Sequence, residues 1–333
     1  MIIVEMKDKN GVILDTEGKF CEEPVAVVLS DELVAELEGG GIAAKILGTE
    51  AIALTAANID GCTSIRPYAL YQHTGLTSIE LPDTVESIGE NACCECTNLI
   101  TITIGKNSKL KTIGAAAFKN AQLTNAKVFI PAGVTSIGKE AFYHGSTKWG
   151  LKEVEFATNS QLQSIGAHAF SNRDIEYIII PDSVTTIGEN AFYQCRSLDF
   201  VALGKGVTSI GNSAFISCPV TTLDYAGTMA DWLNITFGNQ RSNPIYVAHA
   251  LQIDGKIITN FVVPAGATIK AYAFYGGTAF KKFTLPATPP TLANKNAFTD
   301  ISDDCVFEIP AGSLSAYTSA TNWSAFASRF VEV

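Results

Sequence analysis

Apolar and polar positions along this chain fall into a phrase that repeats. In its fullest form it reads Leu-x-x-Ile-x-Leu-Pro-x-x-Val-x-x-Ile-Gly-x-x-Ala-Phe-x-x-Cys, as from Leu76 to Cys96 (with Cys93 in the Phe slot) and from Ile175 to Cys195. The first half alternates with a period of two, which predicts a strand with one buried face. Proline then ends the strand, because it cannot donate the next ladder hydrogen bond. The Val and Ile turn back into the core, and the Gly permits a tight bend or a close backbone approach. The Ala-Phe segment predicts a helical turn whose Phe fills the space between successive coils.

The Ile of that phrase recurs as Ile65, Ile88, Ile113, Ile137, Ile165, Ile187 and Ile210, at intervals of 23, 25, 24, 28, 22 and 23 residues. A worn copy follows at Thr268–Ile269 with Ala273–Phe274. This period lies within the 20–29 residues of leucine-rich repeats. The expected fold is therefore an α/β repeat solenoid with a parallel β-sheet on one face, growing by stacking with each coil burying its core against the next. Two apolar rungs should run along it, one of the Ile residues and one of Phe118, Phe142, Phe170, Phe192, Phe215 and Phe274.

Composition narrows the function. With 47% hydrophobic and 17% charged residues the 333-residue chain is not disordered. A net charge of −10 and no long Lys/Arg run work against non-specific binding to nucleic acid or anionic lipid, so neither is expected as a partner. No stretch approaches the ~18 apolar residues of a spanning helix, so no membrane insertion is expected. The N-terminus shows no basic region followed by an apolar core, hence no visible export signal. Eight cysteines in a chain of this length do not make a disulfide scaffold.

Over residues 60–333 the repeated phrase resembles the BspA-like leucine-rich repeat of bacterial surface proteins. Gly227–Thr228 with Trp232 resembles an insertion these proteins carry, and Asn243–Pro244–Ile245–Tyr246 with Ile253–Asp254–Gly255–Lys256 resembles a hairpin segment of theirs; Asp-Gly is also a hairpin signal in its own right. Ile309–Pro310–Ala311–Gly312, then Tyr317, Asn322, Trp323 and Phe326, resembles their terminal segment. The resemblance implies a binding and adhesion module at the cell surface or outside the cell, recognising a protein or a surface glycan, with no cofactor and no catalytic residues. It sets a solenoid at 59–333, with the insertion at about 226–257.

Residues 1–58 stand outside the repeat. A helix is expected from Ser30 to Glu38, with Ser30 as N-cap, acidic residues in the first turn and Gly39–Gly40–Gly41 as its stop. This module is read as a cap over the open end of the solenoid. Residues 11–27 also resemble short N-terminal modules of phage tail and baseplate-associated proteins. That likeness implies an alternative role as a phage tail-associated structural or receptor-binding protein.

Candidate chemistry is sparse. Cys93, Cys94 and Cys96 offer one Cys-x-x-Cys pair, short of the four ligands of a structural zinc site, and read as buried apolar residues. His73, His144, His168 and His249 fall at different repeat positions, none beside a Ser nucleophile or paired carboxylates. Glu153 and Glu155 share one strand face, a superficial likeness to a glycosidase pair, and read as solvated carboxylates. No catalytic residue and no metal ligand is assigned.

The repeat does fix which strand residues face outward. With Val128, Val154, Ile178 and Val201 inward, their neighbours Lys127, Phe129, Glu153, Glu155, Tyr177, Ile179 and Phe200 point out. Lateral stacking gathers Phe129, Tyr177, Ile179 and Phe200 into an aromatic and aliphatic patch edged by Lys127, Glu153 and Glu155. Such a patch is a candidate ligand-binding surface. The competing reading covers it with the insertion around Trp232.

Overall fold

The computed structural model describes residues 52–57, 62–124, 126–146 and 150–333. The expected β unit at 11–27 and the capped helix at 30–38 lie outside the described residues. The fold divides into two units, the first ending at Ile175 and the second beginning at Glu176.

Each unit is a stack of β-coils, and in each the strand half of the phrase forms parallel sheet. In the first unit Leu76–Leu81 pairs with Thr101–Ile104, setting Ile79 beside Ile102. Ala126–Ile130 pairs with Leu151–Phe156, setting Val128 beside Val154. In the second unit Tyr177–Ile179, Phe200–Leu203 and Thr222–Tyr225 run parallel and in register. Farther along, Asn260–Val262, Lys282–Thr284, Val306–Ile309 and Phe330–Glu332 do the same. The period-two expectation holds residue by residue: Ile79, Ile102, Val128 and Val154 are buried, as are Ile178, Val201, Leu223, Phe261, Phe283 and Phe307.

The Ser-Ile step makes a second set of two-residue parallel strands. Ile65, Ile88, Ile113, Ile137 and Ile165 stack in register in the first unit, and all are buried. The glycine after each Ile is required by close approach rather than by an unusual dihedral. A Cβ on Gly114 would lie 2.6 Å from the carbonyl carbon of Gly89, and one on Gly138 only 2.5 Å from the Ala115 nitrogen. Backbone passes over backbone there, and any side chain would force the coils apart.

Behind the glycine, the expected helical turn is a pair of β-turns. The second residue after the glycine adopts a left-handed conformation in coil after coil: Asn91, Ala116, Glu140 and His168 in the first unit, Asn190 and Ser213 in the second, all with φ between 51° and 57°. A helical turn would spend these amides within the coil. The left-handed residue instead turns alternate N–H groups onto the next coil: Ala116 donates to Lys139 O (2.7 Å), Phe118 to Ala141 O (2.7 Å) and Asn120 to Tyr143 O (2.8 Å). A third backbone ladder results. Among the described residues the α-helices are short and few, at Met229–Trp232, Ile245–Ala248 and Leu314–Ser319, and no helix is long and apolar enough to cross a membrane.

The Phe rung forms as the repeat demands. Phe118, Phe142 and Phe170 are buried, with consecutive ring centroids 5.3 Å apart and planes within 16°. Phe192 and Phe215 repeat the arrangement in the second unit at 5.2 Å and 7°. Offset stacking at the coil spacing adds ring–ring attraction to burial.

The Cys slot is less regular. Cys96 and Cys218 fill it as small buried residues whose thiols donate to Leu70 O (2.9 Å) and Phe192 O (3.0 Å). Ala121 and Gly145 leave it nearly empty, and Arg173, fully buried, reaches into that space. Its guanidinium donates to the carbonyls of Phe142, Ala121 (3.0 Å), Gln122 (3.5 Å) and Phe118 (3.5 Å). A buried cation among carbonyl oxygens is tolerated where its N–H groups find acceptors.

The segment after Tyr225 extends the core instead of lying over the sheet. Thr228 and Asp231 close a capping box, Thr228 N donating to Asp231 Oδ2 (2.9 Å) and Asp231 N to Thr228 Oγ1 (3.2 Å). That turn delivers Trp232, fully buried, against Tyr225 and Phe237, with its indole N–H on Ala273 O at 2.9 Å. Thr236–Phe237 pairs in register with Ser209–Ile210. Thr236–Phe237–Gly238 is thus one more copy of the Ser-Ile-Gly step, its Ile replaced by Phe.

Candidate functional site: the outward sheet face

The sheet turns Lys127, Phe129, Glu153 and Glu155 outward in the first unit and Tyr177, Ile179 and Phe200 outward in the second, because Val128, Val154, Ile178 and Val201 beside them on the strands are core residues. In the first unit the ladder sets Lys127 beside Glu153 and Phe129 beside Glu155. The Lys127 ammonium bridges both carboxylates, at 2.7 Å to Glu153 and 2.8 Å to Glu155. Its hydrogen bonds, to Glu153 first and Glu155 second, raise its pKa well above the usual lysine range. The two glutamates thus share one cation, an arrangement for a charged rim. Phe129 is half-buried beside them.

In the second unit Tyr177 stands beside Phe200, and Ile179 beside Ala202. Tyr177 is 37% and Ile179 56% exposed, with Phe200 half-buried. The insertion does not cover them: Trp232 is committed to the core with Tyr225 and Phe237. An aromatic pair beside an exposed Ile, fixed to a rigid sheet whose other side is core, offers apolar contact area at little cost in conformational entropy.

The histidines and cysteines are placed by the turns. His73 is buried, and burial lowers its pKa. His144 is lowered by burial and then by the nearby Arg173 cation. His168 has a serine beside it, Nδ1 lying 3.2 Å from Ser171 Oγ. The two are three residues apart in one turn and Ser171 is fully buried, so the contact joins groups within the turn and presents no nucleophile. Cys93 and Cys94 are buried; a hydrogen bond with Cys96 and burial push Cys93 up, and burial pushes Cys94 up to about 11. Their thiols stay protonated at neutral pH, consistent with core roles. Among the described residues no three His, Cys, Asp or Glu side chains cluster as metal ligands.

Sequence reasoning passed over a second aromatic group, on the turn segments. In the second unit Tyr246, Tyr272 and Tyr275 pack together, with Tyr275 5.6 Å from Tyr246 and 6.2 Å from Tyr272 between ring centroids. A smaller pair, Tyr68 and Tyr71 at 5.7 Å, stands on the first unit, with Gln72 Nε2 donating to the Tyr71 hydroxyl. The signal was the slot after Phe, which holds Tyr143, Tyr193 and Tyr275; Tyr246 comes from the irregular segment and had no repeat position to mark it.

Comparison with known proteins bears on the repeat itself. The model of a family described as "BspA type Leucine rich repeat region" matches in six copies, over residues 63–148, 112–243 and 254–322. A comparison with curated proteins found no match. Among solved structures, a leucine-rich repeat protein from Bacteroides ovatus is 19% identical, over 85% of this chain and 84% of that one, with a TM-score of 0.39. A leucine rich repeat protein of T. pallidum is 24% identical over 57% and 74%, with a TM-score of 0.37. A leucine rich cell surface protein from Faecalibacterium prausnitzii is 21% identical over 79% and 85%, with a TM-score of 0.32.

Proposed function

The chain belongs to the BspA-type leucine-rich repeat family, and on that premise we propose that it is a non-enzymatic module that binds a protein partner on the outward face of its parallel sheet, at the cell surface or outside the cell. The observation that carries this reading is the Tyr177–Phe200 pair beside exposed Ile179 on the outward face of the second unit's sheet. On the first unit's own outward face, Phe129 and the Lys127–Glu153–Glu155 group form a separate candidate contact group. Aromatic anchors supply affinity, and the shared-cation group, one negative charge in excess, sets which charges a partner must bring. Adhesion follows if the partner is itself a surface protein.

The test is direct binding to an array of purified surface and extracellular proteins, with each hit quantified by biolayer interferometry. A Tyr177→Ala/Phe200→Ala double variant should bind its partner at least about tenfold more weakly, a loss of ~1.4 kcal/mol. Lys127→Ala should change the salt dependence of association. Unchanged affinity in a double variant with wild-type circular dichroism would refute the assignment.

A further inference from the structure

The tyrosine group on the turn side of the second unit is not accounted for by the fold. Phe274, fully buried, already fills the core beneath it. Tyr272 occupies the left-handed slot with φ 64°, as Tyr68 does in the first unit with φ 61°, where other coils place Asn91, Ala116, Glu140, His168, Asn190 and Ser213. Asn tolerates that conformation well, whereas a bulky aromatic there is unusual. Nothing in the coil's backbone demands a ring at that position.

The group is also rigidly built. Asn243 Nδ2 donates to Tyr272 O (2.8 Å) and Ala273 O (2.9 Å), and His249 Nδ1 lies 3.2 Å from Gly276 O. Gly276 runs so close beneath Tyr246 that an added Cβ would lie 3.0 Å from the Tyr246 Cα. The rings are half-buried, with Tyr275 tilted 51° to Tyr246 and 63° to Tyr272. Gly276 N donates to Thr299 O (3.0 Å), which brings the adjoining Asp300 to the coil of Tyr275; partial burial, then the Asp300 carboxylate, raise the Tyr275 pKa, while the Arg241 cation opposes the shift.

We propose that Tyr246, Tyr272 and Tyr275, with the Asp300 carboxylate at their edge, form a second binding site, and that it takes a neutral oligosaccharide. A pyranose ring has an apolar C–H face that lies on an aromatic ring and a rim of hydroxyl groups that donate to a carboxylate. The trio and Asp300 supply both in one place. Three half-buried rings fall well short of the ~800 Å² per partner of a stable protein interface, which favours a small ligand. The chain's net charge of −10 disfavours sulfated or uronic-acid glycans. This site is independent of the sheet-face reading.

The experiment is an array of neutral hexaoses of glucose, mannose, galactose and xylose probed with the full chain, followed by calorimetry on any that bind. We expect at least one sugar class to be retained. Tyr246→Ala/Tyr275→Ala should weaken it about tenfold or more and Asp300→Asn several-fold, while Tyr177→Ala/Phe200→Ala leaves it unchanged. Asp300 is exposed, so Asp300→Asn, together with Tyr275→Leu, carries the test if the double alanine variant fails to fold. No saccharide bound by the folded wild-type chain, or undiminished binding in the folded tyrosine variants, would overturn the proposal.

Discussion

Phe142 is the place to measure what the repeat contributes to stability. Its ring is fully buried and has aromatic neighbours on both sides, Phe118 and Phe170, each at 5.3 Å. A buried aromatic removes roughly 150–250 Å² from water, about 4–6 kcal/mol at ~25 cal/mol per Å². Alanine retains a fraction of that, and a coil bonded to its neighbours by three backbone ladders cannot collapse fully into the cavity. Phe142→Ala should therefore cost about 3–5 kcal/mol. Phe118 is the first ring of the rung, with Cys93 in the matching slot of the preceding coil. Its truncation forfeits one ring pair instead of two, so Phe118→Ala should cost less than Phe142→Ala by about 0.5–1.5 kcal/mol. Urea unfolding followed by circular dichroism, with both variants extrapolated to water, measures the two costs and their difference. A cost below ~1 kcal/mol for Phe142→Ala, or the reverse order of the two, would show that the stacked rung is not a principal source of stability.

Two further outcomes follow from the coil geometry. Gly138→Ala sets a methyl 2.5 Å from the Ala115 nitrogen and should destabilise by about 1–3 kcal/mol through forced coil separation, whereas Ser136→Ala on the same short strand should stay within ~0.5 kcal/mol; equal thermal shifts in the two variants would contradict the close-approach role. His73 and His144 have pKa values lowered by burial, so the unfolded chain, titrating near 6.5, takes up protons before the folded one does. Stability is thus complete above that value and declines as pH falls from about 7 to 5. A His73→Gln/His144→Gln variant should show a flatter melting temperature over this window, and an unaltered pH slope would refute the assignment.

How much was legible in sequence varied with how local the cause was. The alternation of Ile178 and Val201 with Tyr177, Ile179 and Phe200 was readable because strand side chains alternate by a fixed rule. The Gly after each Ile is legible as a special position, although its reason, a neighbouring backbone so near that an added Cβ would lie 2.6 Å from it, needs two coils at once. The Ala-Phe turn differs from the expected helical turn because Ala116, Glu140 or Ser213 gives no strong sign of a left-handed dihedral in isolation. Only the ladder to the next coil makes that conformation worth its cost. Arg173 lay wholly beyond reach: a charged residue in an apolar slot is explained by the space that Ala121 and Gly145 leave, and its bond to Ala121 O joins residues 52 positions apart.

The sequence alone determined the period, the buried rungs of Ile and Phe, and which strand residues look outward, because each depends on spacing within one coil and on its recurrence. The tertiary structure decided where Trp232 goes, that Thr236–Phe237–Gly238 is a hidden copy of the repeat, and that Tyr246 meets Tyr275. Those outcomes depend on contacts between coils of unequal length, where a register set by the backbone ladder, and not by local pattern, chooses the neighbours.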